Sequence, residues 1–499
     1  MTADKPARHQ AYNPYLPGWE YVPDGEPHVF GDRVYVYGSH DRAGAHMFCL
    51  NDYVCWSAPV SDLSDWRLEG TIWHRGDDPA NPHGRHSLFA PDVARGTDGR
   101  YYLYYGMGWT GLIGVAVCDE PAGTYQFLGH VQHPGGTPMG RATGDSFGFD
   151  PAVLVDKDGR VWLYSGFHNR IPAVATGGRR LAFDGCYCFE LEPDMHTVRS
   201  CRLVLPKAGP GSFEGHEFFE ASSIRRYDDT YYLVYSSRVN HELCYATASS
   251  PTGPFAYGGV LVSNGDVGLP GHPDEAHAAN YTGNNHGGML RLGDDYYIFY
   301  HRQTNRTSYS RQTCAERLTC RPDGGFAQAE LTSCGLNGGP LSGVGTYPAR
   351  IACNLWSTKG TGRYDVPLSH QRYANHPFLT QDEPDGESGV QYVANLRNGA
   401  VAGYKYFSLR GLVEVEVTIR GITAGVLEVA TDPAFRHPIA RVQLASTREW
   451  RPFVAQAKAP DGVCALYFRY RGTGAIDLRD FTLRDAALHA VSQKCQTPL

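Results

Sequence analysis

Five stretches of the chain share one arrangement of apolar and polar positions: RVYVYGS (33–39), RYYLYYG (100–106), RVWLYSG (160–166), TYYLVYSS (230–237) and DYYIFYH (295–301). Each is a short β-branched and aromatic run of the kind that packs in a sheet, and each follows a Gly/Asp turn (GD, TDG, KDG, YDD, GDD). Their first strand residues, Val34, Tyr101, Val161, Tyr231 and Tyr296, lie 67, 60, 70 and 65 residues apart. A unit of that length, holding several turn-bounded strands, has the size of one four-stranded propeller blade with long loops. The spacing therefore predicts an all-β chain with a five-bladed β-propeller over residues 12–350. A large β-sandwich would also have short strands, but it gives no reason for the recurrence.

Past the repeats the pattern changes. From Ser357 to Gly389 the chain is polar and irregular, so residues 351–388 read as a linker or docking segment. Alternation then returns: Val413, Val415, Val417 and Ile419 interleave with Glu414, Glu416 and Thr418, and Leu466, Phe468 and Tyr470 repeat the period. Residues 389–490 are expected to form a β-sandwich, jelly-roll-like, of their own.

Composition narrows the function classes. The 499 residues carry a net charge of −7, with no basic footprint for nucleic acid and no apolar stretch of membrane-spanning length. Thirteen cysteines are scattered without a CxxC pair, which favours reduced thiols over a metal or disulfide framework. The N-terminus MTADKPARHQ lacks the apolar run of a secretory signal, so a cytoplasmic location is expected.

The repeat also aligns polar residues. Glu26, Asp92, Asp150, Glu220 and His286 precede the recurring strands by 8, 9, 11, 11 and 10 residues, one per blade, at equivalent places facing one axis. Clustered carboxylates repel, so at least one should keep its proton near neutrality, as a general acid requires. Two carboxyl groups across a bond, one acid and one base, are the equipment of glycoside hydrolysis. Trp109, Phe167 and His168 follow blade strands as candidate sugar-stacking groups, or as propeller core.

Several of these stretches resemble motifs of glycoside hydrolase family 43: EPHVFGDRVYVYGSHD, FDPAVLVDKDGRVWLYSG and FFEASSIRRYDDTYYLVYSS, supported by APDVARGTDGRYYLYY and NHGGMLRLGDDYYIFYHR. The resemblance covers residues 12–350 and implies a five-bladed propeller enzyme acting on arabinose- and xylose-containing glycans. It makes Glu220 the general acid and Asp150 the carboxylate that raises the acid's pKa. The family's base is an aspartate in an Asp-Pro pair; here Glu26-Pro27 holds that slot, with Asp24 and then Asp41 as further candidates. By the same resemblance His286 stands near the axis, either as a buried histidine or beside a calcium. Arg302 matches a basic residue approaching the sugar. No cofactor is required, although a structural calcium at the axis or in the C-terminal domain is compatible with the resemblance. AGYKYFSLRG, IARVQLASTREWRPF and LYFRYRGTGAIDLRDFTL resemble carbohydrate-binding module family 6, which places Tyr404, Tyr406 and Trp450 as the only aromatics near sugar-binding positions.

The expected activity is an exo-acting, inverting glycosidase on oligosaccharides, α-L-arabinofuranosidase first and β-xylosidase second, with Asp92 among the sugar-binding residues. No nucleic-acid or membrane partner is expected. A galactosidase on the same fold and a glycan-binding propeller that has lost hydrolysis are the alternatives, the latter favoured by Glu26 in the base position.

Overall fold

The computed structural model describes residues 10–487 except 175, 384, 387 and 388. Five four-stranded sheets follow one another along the chain, each an antiparallel meander paired in sequence order. They span Glu26–Trp73, Leu88–His130, Ala152–Pro206, Phe218–Ser263 and Met289–Ala327, and are numbered here as blades 1 to 5. The inner strands, Glu26–Phe30, Leu88–Arg95, Ala152–Val155, Phe218–Tyr227 and Met289–Leu292, neighbour one another in a ring, the fifth beside the first.

The recurring sequence run is the second strand of every blade. The turn before it is left-handed each time, with Gly31, Gly99, Gly159, Asp228 and Gly293 all at φ between 56° and 87°. Glycine takes that conformation without a Cβ clash and aspartate is among the few others that tolerate it, which is why these turns are written with Gly and Asp.

Blades are joined by apolar clusters, one per interface. Tyr37 and Cys55 meet Leu103 and Tyr105 between blades 1 and 2, and Tyr104 and Val115 meet Val153 and Leu163 between blades 2 and 3. Trp162 and Tyr164 meet Leu233 and Tyr235, then Val234 and Tyr245 meet Ile298 and Tyr300. The ring closes where Val34 and Val36 pack with Phe299 and Ala315 around Tyr15 and Leu16 of the N-terminal segment. Asn13 fastens this seam: its Oδ1 accepts from the Ala315 N–H and its Nδ2 donates to the Ala315 carbonyl, both at 3.0 Å. Each buried aromatic contributes about 1.5–3 kcal/mol, so the closure draws on many side chains rather than one.

The second unit is a nine-stranded β-sheet domain. Its long strands Leu412–Ala430, Ala440–Gln456 and Gly462–Asp485 are antiparallel neighbours, and Val415, Val417, Ile419, Leu466, Phe468 and Tyr470 share one core. This sheet begins earlier than the sequence pattern suggests. Leu341–Ser342 and Gly345–Pro348 already belong to it, and the expected linker supplies Asn354–Trp356 and Phe378–Gln381. Those strands are too short to show a period, so the segment reads as irregular. Around residue 363 it is stitched onto the propeller: the Thr282 N–H donates to the Gly362 carbonyl, the Tyr364 N–H returns to the Thr282 carbonyl, and Tyr364 stacks on Tyr281 at 4.6 Å.

Candidate active site

A pocket opens at the axis, lined by Asp24, Asp150, Glu220, His286, Asn284 and Arg311 with an aromatic wall of Phe48, Phe89, Trp109 and Phe149. Local backbone features aim the three carboxylates. Glu220 stands in the inner strand of blade 4 where the pairing register slips on either side of it, and Ala221 beside it has φ 64°. Such a bulge turns a side chain away from the strand's regular alternation. Asp150 (φ 46°) precedes the inner strand of blade 3, and its Oδ2 accepts the Ala221 N–H at 3.0 Å, tying the two acids' backbones together. Asp24 (φ 58°) precedes the inner strand of blade 1.

Their electrostatics differ. Burial would raise Asp24, but Arg311 Nη1 at 2.8 Å and the His301 ring hold it well below the usual carboxylate range. Burial, aided by the Asp24 charge, pushes Glu220 up to about 8. Burial and the neighbouring Glu220 also push Asp150 far above its ordinary value. Asp150 and Glu220 titrate as a pair that holds a proton at neutral pH, while Asp24 is ionised. Burial likewise lowers His286 to about 4, leaving a neutral imidazole with Nδ1 3.6 Å from Asp150 Oδ2.

The structure moves Glu26 out of the proposed base position. Glu26 is the first residue of its strand and lies buried beneath the pocket, where its Oε2 accepts from Arg225 Nη2 at 2.5 Å and Ser223 Oγ at 2.9 Å. Asp24 takes the pocket instead, because the left-handed turn at Asp24-Gly25 breaks the extended register on which the Glu-Pro alignment relied. The DG pair is a turn signal that could have revealed this. Asp41 stands behind the site: Arg311 Nε donates to its Oδ2 at 2.8 Å and the Cys49 N–H to its Oδ1 at 3.0 Å.

Four further residues expected at the sugar stand elsewhere. Asp92 is fully buried below the pocket, accepting from the Val153 N–H at 2.8 Å and paired with His28 Nε2 at 2.6 Å. Arg302 points to the second unit, donating to the carbonyls of Ala352 and Arg350 at 3.0 and 2.6 Å. Phe167 and His168 stand outside the lining: Phe167 backs Phe149 at 4.6 Å, and the His168 ring stacks on Phe219. Trp109 does reach the pocket, exposed and stacked on Phe149 at 5.6 Å. Arg311 and Phe48 escaped the sequence reading because they lie outside the positions that the repeat aligns.

At the axis Glu26 Oε1 and His286 Nε2 are both buried without partners, 3.8 Å apart. A calcium prefers six to eight oxygens. Glu26, His28 and Asp92 do bring possible ligand atoms within 4.8 Å of one another, but that is two carboxylates and an imidazole, and the Arg225 cation already lies on Glu26 Oε2 and 3.3 Å from His28 Nε2. With that cation in place, these side chains do not build a calcium cage.

Comparison with known proteins places this geometry. The pattern of glycosyl hydrolases family 43 matches residues 13–326. A xylosidase/arabinosidase of Thermoclostridium stercorarium is 47% identical over 485 residues, 95% of this chain and 99% of that protein. An arabinoxylan arabinofuranohydrolase of Bacillus subtilis (strain 168) is 25% identical over 498 residues, 91% of this chain and 88% of that one. In fold, the chain is similar to the crystal structure of a family 43 arabinoxylan arabinofuranohydrolase from Bacillus subtilis in complex with cellotetraose, at a TM-score of 0.50 and 22% identity over 95% of this chain and 97% of that one. The propeller, its acidic axial pocket and these matches together establish that the chain belongs to glycosyl hydrolases family 43.

Proposed function

We propose that this enzyme is an exo-acting, inverting glycoside hydrolase that releases a terminal α-L-arabinofuranosyl residue, or secondarily a β-xylosyl residue, from oligosaccharides. The observation that carries the reading is one aromatic-walled pocket in which Arg311 keeps Asp24 ionised while Asp150 and Glu220 retain a proton. Asp24 takes a proton from water as that water attacks the anomeric carbon. Glu220 donates its proton to the departing glycosidic oxygen; before the next turnover Asp24 releases the proton it gained to solvent and Glu220 takes one back, its affinity for it held up by the neighbouring Asp150. Trp109 offers a stacking face to the sugar ring. The relatives named as xylosidase/arabinosidase and arabinoxylan arabinofuranohydrolase support the choice of pentose.

The glycan-binding alternative drew on Glu26 in the base position, and with Asp24 at the pocket it loses that footing. We infer that the second unit buttresses the propeller rather than binding sugar. Tyr404 is buried, the Tyr406 hydroxyl donates to Glu330 at 2.7 Å, and Trp450 lies half-buried beneath Arg420. Proton NMR of the first product from an aryl α-L-arabinofuranoside tests the mechanism: the inverted anomer is expected, and the retained anomer would remove Asp24 as base. A panel that adds aryl β-xylosides and galactosides tests the sugar, and preferential turnover of a galactoside would overturn the pentose assignment.

A further inference from the structure

The third strand of blade 4, Glu242–Ala248, carries Glu242 and Cys244 on one face, because residues two apart on a strand share a side. His216, in the loop before the inner strand of that blade, completes a triad none of whose members lines the catalytic pocket. His216 Nδ1 lies 2.6 Å from Glu242 Oε1, and Cys244 Sγ lies 3.4 Å from that oxygen and 3.7 Å from Nδ1. We propose that His216, Glu242 and Cys244 form a binding site for a divalent zinc-class metal ion, with water as the fourth ligand.

The donor set selects the metal. A thiolate, an imidazole and a carboxylate suit Zn2+, whereas Ca2+ and Mg2+ take oxygen ligands. Around a tetrahedral Zn2+ with bonds of about 2.0–2.3 Å, ligand atoms sit about 3.3–3.6 Å from one another. The Cys244–Glu242 separation of 3.4 Å falls in that range, and the Cys244–His216 separation of 3.7 Å lies just beyond it. The His216–Glu242 pair must open from its present 2.6 Å, which exchanges their shared hydrogen bond for two metal bonds.

The ligands are held and reachable. The His216 ring stacks on Tyr257 at 5.0 Å and its carbonyl accepts the Tyr235 hydroxyl at 2.8 Å, while Ser237 Oγ steadies Glu242 Oε1 at 2.6 Å. The His216 side chain is 35% exposed, which gives an ion a way in. Burial pushes the Cys244 thiol well up, so without metal it is a neutral donor. On binding, its proton and the one between His216 and Glu242 pass to solvent, leaving Cys244 as thiolate and His216 neutral.

Full-length protein stripped with a chelator, then titrated with Zn2+ against a chromophoric competitor, tests the site, together with His216→Gln and Cys244→Ala variants and Co2+ as a spectroscopic probe. One tightly bound equivalent is expected for the parent, with a thiolate-to-cobalt charge-transfer band. Each variant should bind at least about 100-fold more weakly, since losing even an outer-shell partner costs about 10–100-fold. His216 is partly exposed, so its variant tests the site without emptying the core. Absence of saturable binding in the parent, or affinity retained in either variant, overturns the proposal; retained affinity would place the metal on other thiols such as the exposed Cys201 and Cys320.

Discussion

Arg311 reaches Asp24 Oδ1 with Nη1 at 2.8 Å while its Nε holds Asp41 at the same distance. Asp41 therefore fixes the guanidinium, and the guanidinium fixes the charge and direction of Asp24. A base prepared in this way stays ionised through mild acid, where an ordinary buried aspartate would take up a proton.

Asp24→Asn should lower kcat by about 10²–10⁴-fold, the range for loss of a positioned general base. Glu26→Gln should keep kcat within about tenfold and cost about 1–3 kcal/mol of stability, because burial already pushes Glu26 up to about 8 and the variant's amide weakens the bond that Glu26 Oε2 accepts from the buried Arg225. Steady-state kinetics and denaturant unfolding of the two variants check this. The reverse pattern would return the base role to Glu26.

Activity should fall on the alkaline side as pH rises through about 8, where Glu220 gives up its proton, and stay flat well into the acid range because Asp24 is held low. The Asp365 charge, on the strap from the second unit, helps to raise Glu220 after burial and Asp24. Asp365→Asn should therefore shift the alkaline limb of kcat/KM to lower pH. Glu220→Gln should spare activated aryl leaving groups and lose about 10²–10⁴-fold on natural glycosides. pH–rate profiles with both classes of substrate decide the matter, and equal losses on the two would deny Glu220 the acid role.

The recurrence at Val34, Tyr101, Val161, Tyr231 and Tyr296 made the propeller legible, because each blade must bury one such strand between its neighbours. Offsets along that repeat located Asp150, Glu220 and His286 at the pocket. They could not separate Asp24 from Glu26, since a single left-handed residue decides which of the two faces the substrate. Asp92 kept its axial place but not its exposure, for depth along the axis is invisible to an offset count. Arg311 comes from the third strand of blade 5, brought in by tertiary packing alone.

Trp109 presents an exposed ring over a pocket whose other aromatics are mostly buried. Trp109→Ala should raise KM for glycosides and lower kcat less, since stacking on the sugar acts in ground and transition states alike. A fall in kcat with KM unchanged would instead assign Trp109 to the transition state.

Lys405, in the strand Val401–Leu409 of the second unit, extends its ammonium into the propeller, 3.0 Å from Asp266 and 2.8 Å from Glu330. Lys405 is 3% exposed and Asp266 1%, so the pair is shielded from solvent and salt. Asp266 Oδ1 also accepts the Leu331 N–H at 2.7 Å, which fixes the carboxylate that the lysine meets. Lys405→Met keeps the stem but strands the Asp266 charge, and should cost about 3–5 kcal/mol. Restoring neutrality with Asp266→Asn in the same chain should recover part of that loss, because the stranded charge is gone. Equilibrium unfolding of the parent, the two single variants and the double variant gives the coupling between the units directly. Strictly additive single effects would mean that the two side chains do not stabilise each other, and the buttress would then rest on other contacts, among them the backbone stitch at Thr282 and Tyr364 and the Arg302 bonds to Ala352 and Arg350.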